Sequence, residues 1–387
     1  MRVVVNELAT LGRRTGVGHT TAELVRALRR LMPPGTLTGF PDPLVRRARQ
    51  AWGWLRARRA GKGGSPGGAL HNGGRSAMRH YFRAVCRLRR FDLYHEPNFL
   101  PLPCDLPTVA TLHDLSVLLH PEWHPAERVA AYERDFRDGL ARTRHVITVS
   151  EFARQEIIRV LGVPPGRVTR VYNGVSAAFS PRPADEVAAG LRRLGLPPEY
   201  FLYVGTLEPR KNLLTLVRAY CALPDAVRRR FPLLLAGGWG WRAESLADYL
   251  KSVGEARGVR HVGYVADGDL PVLYNGARAL AFPSLYEGFG LPPLEMLACG
   301  GAVLASTAGA VAETAGAAAH LTDPHDEPGW RDALLRVATD DDWWHELRRG
   351  ATSAARPFTW ERSAADTLGV YRDVLGLRPA AHQPLAA

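Results

Sequence analysis

The chain has 387 residues, 46% hydrophobic and 23% charged, which are globular values at a length that suits two domains of similar size better than one core. Its formal net charge is +12, but Leu44 to Arg90 alone carries twelve Arg, one Lys and no acid, so the remainder is close to neutral and a nucleic-acid grip over the whole surface is excluded. No run approaches the roughly 18 apolar residues of a membrane-spanning helix, and four cysteines without CxxC spacing indicate neither a disulfide framework nor a zinc site, which fits a reducing cytoplasm.

MRVVVNELAT reads as a buried first strand rather than a signal peptide. TGVGHTTAEL, residues 15–24, sets Gly16 and Gly18 between that strand and the amphipathic HTTAELVRALRRLM. Bare backbone there can approach a phosphate at a helix N-terminus, although a tight turn without a ligand reads equally well. The basic segment 44–90 follows, with AGKGGSPGGALHNGGRS (60–76) as a mobile Gly-rich insertion. Trp52, Trp54, Leu55, Tyr81 and Phe82 stand among its arginines, a mixture that suits an anionic membrane surface or a merely solvated insertion.

DLYHEPNFLP and TLHDLS each place a histidine, His95 and His113, at the end of an apolar run. RHVITVS is a strand, and Ser150 can cap the helix EFARQEIIRVL. VYNGVSAAFSPRPADEV, near 175–198, marks a domain boundary. Beyond it YFLYVGT, FPLLLAGG, ALAFPS and AVLAST are apolar runs, each followed by loop and helix signals, so the fold class is α/β with parallel sheets.

In VGTLEPRKNLLTLVRAY the strand ends at Gly205, and Arg210 and Lys211 stand at the mouth of a helix, where open α/β sheets bind anions. A solvated surface pair is the other reading. In SLYEGFGLPPLE, Pro292 and Pro293 suit a first helical turn. Glu295 then falls where the helix dipole favours a carboxylate by ~0.3–1 kcal/mol. Glu287 has no such structural reason; it follows a buried-type strand at a ligand-binding edge. DDD at 340–342 reads as a helix start rather than a metal motif, FTWERSAADTLGVYRDVL as a closing amphipathic helix, and RPAAHQPLAA as a disordered tail.

Taken in order, TGVGHTTAELVRAL, DLYHEPNF, TLHDLS, VSEFARQEI, VYNGV, YVGTLEPRKNL, PSLYEGFGLPPLEMLACG and FTWERSA resemble the retaining group 1 glycosyltransferases of GT-B architecture, over nearly the whole chain. EGFGLPPLE matches that family's E-x7-E signature. The resemblance implies two Rossmann-like domains facing across a cleft, 1–178 for the acceptor and 179–357 for a nucleotide-sugar donor. A helix at 358–376 would cross back to the first domain, and 377–387 would be the tail. It further implies that Glu295 holds the donor ribose and that Glu287 contacts the donor sugar near the reacting centre. His113 would lie beside that sugar, and Lys211 would bind phosphate. Backbone at Gly288, Phe289, Gly290 and Leu291 would face the sugar and diphosphate, with Gly16 and Gly18 closing on the phosphates. Where many members have Arg after the strand Gly205, this chain has Thr206, and Arg210 would supply the second cation.

On that resemblance the expected reaction is hexosyl transfer with retention, by front-face displacement, without a metal or other cofactor. The pattern TLEPRKN with LYHEPNF points to mannose from GDP-mannose, with UDP- and dTDP-sugars as alternatives. The acceptor would be a saccharide or a polyprenyl-diphosphate-linked saccharide in cell-surface glycan synthesis. The expected location is cytoplasmic or peripheral on the inner membrane face, without nucleic acid. A GT-B-fold nucleotide-sugar isomerase and a basic, non-enzymatic nucleic-acid- or membrane-binding scaffold are the competing readings.

Overall fold

The computed structural model describes residues 1–11, 16–41 and 72–377. β1 (Val3–Asn6), β2 (Leu37–Phe40), β3 (Leu93–Glu96), β4 (Thr108–Leu112), β5 (Thr143–Thr148) and β6 (Val168–Arg170) make a parallel sheet in the order 2-1-3-4-5-6. β7 (Tyr200–Val204), β8 (Leu233–Ala236), β9 (Val259–Gly263), β10 (Ala277–Phe282), β11 (Val303–Ser306) and β12 (His320–Thr322) make a second, in the order 12-11-10-7-8-9. The strands β1, β4, β8, β10 and β11 are buried at every position, which explains their mostly apolar sequences: helices cover both faces of each sheet.

The chain passes from one sheet to the other between Arg170 and Tyr200. It returns through 356–360, and the two passages lie side by side, Val175 N–H donating to Phe358 O at 2.9 Å. They approach so closely that a Cβ on Gly174 would sit 2.2 Å from Trp360 N. The last helix, Trp360–Val374, then packs Ala364, Leu368 and Tyr371 against Val25, Leu28 and the first sheet. His95 is part of that seam: its ring bonds Tyr371 Oη at 2.6 Å and Thr111 Oγ1 at 2.8 Å. Burial lowers its pKa to about 3, with His113 adding to the effect, so it stays neutral and structural.

Several expectations change. Gly16 and Gly18 lie inside the first turn of the helix Gly16–Leu31 rather than in the preceding loop. The Gly-rich segment 60–76 overlaps a helix that already runs from Asn72 to Arg89; the rest of it, the basic stretch 44–71 and the tail 378–387 lie outside the described residues. Asp340 of DDD caps the helix Asp341–Arg348 by accepting from Trp343 N–H, and Asp341 pairs with Arg278, so the reading as a helix start holds. Among the described residues no helix is long and apolar enough to cross a membrane.

Candidate active site

In the second sheet β7 and β10 are neighbours whose following connections run to opposite sides, and such a divergence opens a crevice at the strands' C-terminal ends. The loop after β7 carries Gly205, Thr206, Glu208, Arg210 and Lys211; the loop after β10 carries Glu287 to Gly290. Gly205 and Gly237 let the loops after β7 and β8 meet, since a Cβ on Gly237 would fall 1.9 Å from Gly205 O.

Glu287 lies five positions past the end of β10, not at the strand end itself, and is 6% exposed. Lys211 Nζ donates to its Oε1, and Arg210 Nη1 lies 3.3 Å from its Oε2. Arg210 also reaches Glu208 Oε1 at 2.6 Å and Asp114 Oδ2 at 3.6 Å, the latter on the first sheet's side. Burial works against ionisation of Glu287, but Lys211 and Arg210 outweigh it and hold its carboxyl below the usual range. Burial alone would lower the Arg210 pKa; Glu287, Glu208 and Asp114 together raise it. The cations expected to meet phosphate by themselves are thus already paired with Glu287, and the cluster counts two cations against three carboxylates.

The loop peptides are fixed from behind. Ala310 N–H donates to Glu287 O at 2.9 Å, Ser150 Oγ to Gly288 O at 2.7 Å, and Thr314 Oγ1 to Phe289 O at 2.8 Å. With its carbonyls so held, the N–H groups of Gly288, Phe289, Gly290 and Leu291 take no protein acceptor among the described residues. Gly290 adopts φ +91° as the N-cap of the helix Leu291–Ala298, a conformation that glycine tolerates without strain.

Glu295 sits beyond the first turn of that helix, so the helix-dipole explanation falls away. Its Oε2 accepts from Tyr274 Oη at 2.7 Å. Burial raises its pKa to about 7, eased by the Tyr274 bond and reinforced by the nearby Asp267 carboxylate. Asp267 itself reaches across to His19 of the Gly16–Leu31 helix, at 3.2 Å, so Gly16 and Gly18 begin a helix whose first turn touches the second sheet's loops.

The first sheet supplies the opposite wall. His113 follows β4, its Nε2 lies 2.9 Å from Pro97 O, and burial lowers its pKa. Nε2–H donating to that carbonyl leaves Nδ1 as an acceptor. A Cβ on Gly288 would lie 1.9 Å from His113 O, so the two halves touch at backbone level. The contact continues through Tyr286, which donates to Glu156 and accepts from Leu115 N–H at 3.1 Å. Glu313 caps the Glu151–Leu161 helix from the other half, accepting from Glu151 N at 2.7 Å and Phe152 N at 2.9 Å. The structure therefore brings Glu287, Lys211, Arg210, His113 and the 288–291 backbone together, with Glu295 one helical turn away.

Asp114, Glu208, Tyr286 and Glu313 escaped the sequence reading, although the first three lie within quoted motifs, close to His113, Arg210 and Glu287; Glu313 has no such neighbour. Because Gly288 admits no side chain, Gly288→Ala is expected to push the two walls apart and lower turnover by about 10²-fold. Nucleotide-dependent stabilisation should survive, since Glu295 is not moved; unchanged turnover would show that the close contact is not needed.

Residues 192–357 match the family described as Glycosyl transferases group 1, and residues 14–179 match Glycosyltransferase Family 4. The O-antigen chain mannosyltransferase B of Escherichia coli is 37% identical over 297 residues, 76% of this chain and 78% of that one. A serotype-specific mannosyltransferase of Escherichia coli, WbdA, is 31% identical over 71% of this chain and 35% of its own length. Among solved structures, the sucrose-phosphate synthase of Thermosynechococcus elongatus superposes with a TM-score of 0.72 at 19% identity, covering 98% of this chain and 100% of that one. At that identity the likeness speaks for the fold.

Proposed function

The chain belongs to the group 1 glycosyltransferases of GT-B fold, and from that premise we propose that it moves a mannosyl group from GDP-mannose to a saccharide acceptor, with retention, in polysaccharide synthesis. The observation that carries this reading is the Glu287–Lys211–Arg210 cluster at the β7/β10 crevice, beside backbone N–H groups that take no protein acceptor among the described residues, with Gly288 packed against His113 O.

The donor would lie along the second sheet's loops. Glu295, with its acceptor oxygens, would take the ribose hydroxyls. A diphosphate adds negative charge to a cluster that already has an excess of carboxylate, so binding requires exchange: Lys211 turns from Glu287 to phosphate, and the 288–291 N–H groups take phosphate oxygens or the sugar. Freed of one cation, Glu287 is left to accept hydroxyls of the hexose. His113 Nδ1, an acceptor in the tautomer fixed by Pro97 O, would take a further sugar hydroxyl from the opposite wall.

As the glycosidic bond breaks, charge builds on the leaving phosphate, where preorganised cations and N–H groups act most strongly; each such donor is worth ~2.7–4 kcal/mol. That set serves the leaving group without a metal. The acceptor hydroxyl would approach on the same face and lose its proton to the departing phosphate. Mannose is favoured by the E. coli mannosyltransferase that aligns over three quarters of this chain. GDP is the nucleotide that the TLEPRKN and LYHEPNF pattern points to.

The test is thermal stabilisation across GDP, UDP and dTDP and their sugars. GDP and GDP-mannose should raise the melting temperature by several degrees at saturating concentration. A larger shift with UDP or dTDP would move the donor assignment, and no shift with any nucleoside diphosphate would refute the function.

A further inference from the structure

We propose that Cys86 and Cys104 form a peroxide-sensitive dithiol, distinct from the transfer site, that closes to a reversible disulfide and staples the Arg-rich helix Asn72–Arg89 to the first sheet. Cys86 lies in the last turn of that helix, and Cys104 lies in the connection between β3 and β4. Neither is linked to another cysteine, and both pack in one cluster, Cys86 among Phe40, Phe82, Phe91 and Tyr94 and Cys104 against it. Cys86 is buried, at 6% exposure, while Cys104 is partly open to solvent.

The surroundings hold the two sulfurs in place. Phe82, one turn before Cys86, is fully buried between Phe40 and Tyr94, with ring centroids 4.7 and 4.6 Å away. Tyr94 Oη accepts from Leu102 N–H at 3.2 Å, which anchors the Cys104 loop, and Thr108 Oγ1 lies 3.9 Å from the Cys104 sulfur. Outside, Arg87 and Asp105 pair at 3.5 Å, so the residues after both cysteines are also in contact. Helix and loop are thus pinned on either side of the two thiols.

The two thiols differ in reactivity. The neighbouring Cys86 thiol brings the Cys104 pKa down to about 7 against the opposing effect of burial. Cys104 and burial push Cys86 up. Cys104 is therefore the attacking thiolate and Cys86 the thiol that resolves it. With hydrogen peroxide as oxidant, the Cys104 sulfur takes one peroxide oxygen and the O–O bond breaks. This gives a sulfenic acid and hydroxide, and the hydroxide takes up the proton that the thiol gave away. The Cys86 sulfur then attacks the Cys104 sulfur, and the sulfenic oxygen leaves as water with the Cys86 proton. Two thiols lose two electrons, and one peroxide becomes two waters.

The test uses the full chain in mild peroxide, followed by thiol counting and peptide mapping. Reactive thiols should fall from four to two under denaturing readout, with a Cys86–Cys104 crosslinked peptide that dithiothreitol removes. Cys86→Ser should form no crosslink and instead carry a dimedone-trappable sulfenate on Cys104. Cys104→Ser should leave Cys86 unmodified. The proposal is overturned if the wild-type chain yields no Cys86–Cys104 peptide, or if oxidation falls first on the buried Cys221 or Cys299.

Discussion

Glutamine in place of Glu287 is expected to lower kcat by about 10²–10³-fold while changing GDP-mannose affinity by less than about tenfold. The amide keeps the shape of the side chain but removes the charge that Lys211 and Arg210 surround. If the carboxylate positions the hexose only as the glycosidic bond breaks, the loss appears in kcat rather than in binding. The same substitution leaves Lys211 and Arg210 short of one counter-charge, so stability should also fall. Because the Glu287 pKa is lowered in the folded chain, the stability it contributes is present above the ordinary carboxylate range and is lost as pH falls through its depressed value. Wild type and variant should therefore differ most in stability near neutral pH and converge in acid. A kcat within twofold of wild type would remove Glu287 from the reaction. A trapped mannosyl ester on Glu287 would replace front-face displacement by a covalent route.

A second large effect is expected at Glu295, in the pH dependence of donor binding. Its pKa is raised to about 7 mainly by burial, and ribose hydroxyls donate to the ionised form. Protonation below that value then competes with the donor, and GDP-mannose affinity should drop by about tenfold between pH 7.5 and 6. The sugar nucleotide is the right probe because its two esterified phosphates do not titrate in this range. Glu295→Gln should bind weakly and with no such slope. For stability the sign is opposite to that of Glu287: a raised pKa favours the folded chain below the ordinary carboxylate value, and that advantage fades as pH rises through about 7. Calorimetric titration of the variant showing the wild-type slope would place the titrating group elsewhere.

What the sequence revealed and what it hid follow from the distances involved. ALAFPS and EGFGLPPLE lie within a few residues of each other, so strand, glycine loop, prolines and both glutamates could be read as one local unit. The capping role of Ser150 was legible for the same reason, since its partner Ala153 is three residues away. Asp114 with Arg210, Glu313 with the helix at Glu151, and Tyr286 with Glu156 are joined only by the closing of one half on the other. No pattern along the chain records such pairs. The roles assigned to Lys211 and Arg210 changed for a related reason: their carboxylate partner lies on the neighbouring strand's loop of the same sheet, more than seventy residues further on. β2, β6 and β12, of four, three and three residues, are too short to show a period of their own. All three are edge strands, each held by a single neighbour.

The central claim is that the cleft between the two sheets binds GDP-mannose against Glu295 and transfers its sugar through the Glu287, Lys211 and Arg210 cluster. It is tested most directly by incubating the chain and its Glu287→Gln variant with GDP-mannose and a mannose-terminated oligosaccharide, and following products by mass spectrometry. The expected result is an acceptor longer by one hexose with release of GDP for the wild type, and bound donor with little product for the variant. Equal product from both chains would contradict the claim, as would absence of any GDP-mannose binding while another nucleotide sugar is turned over.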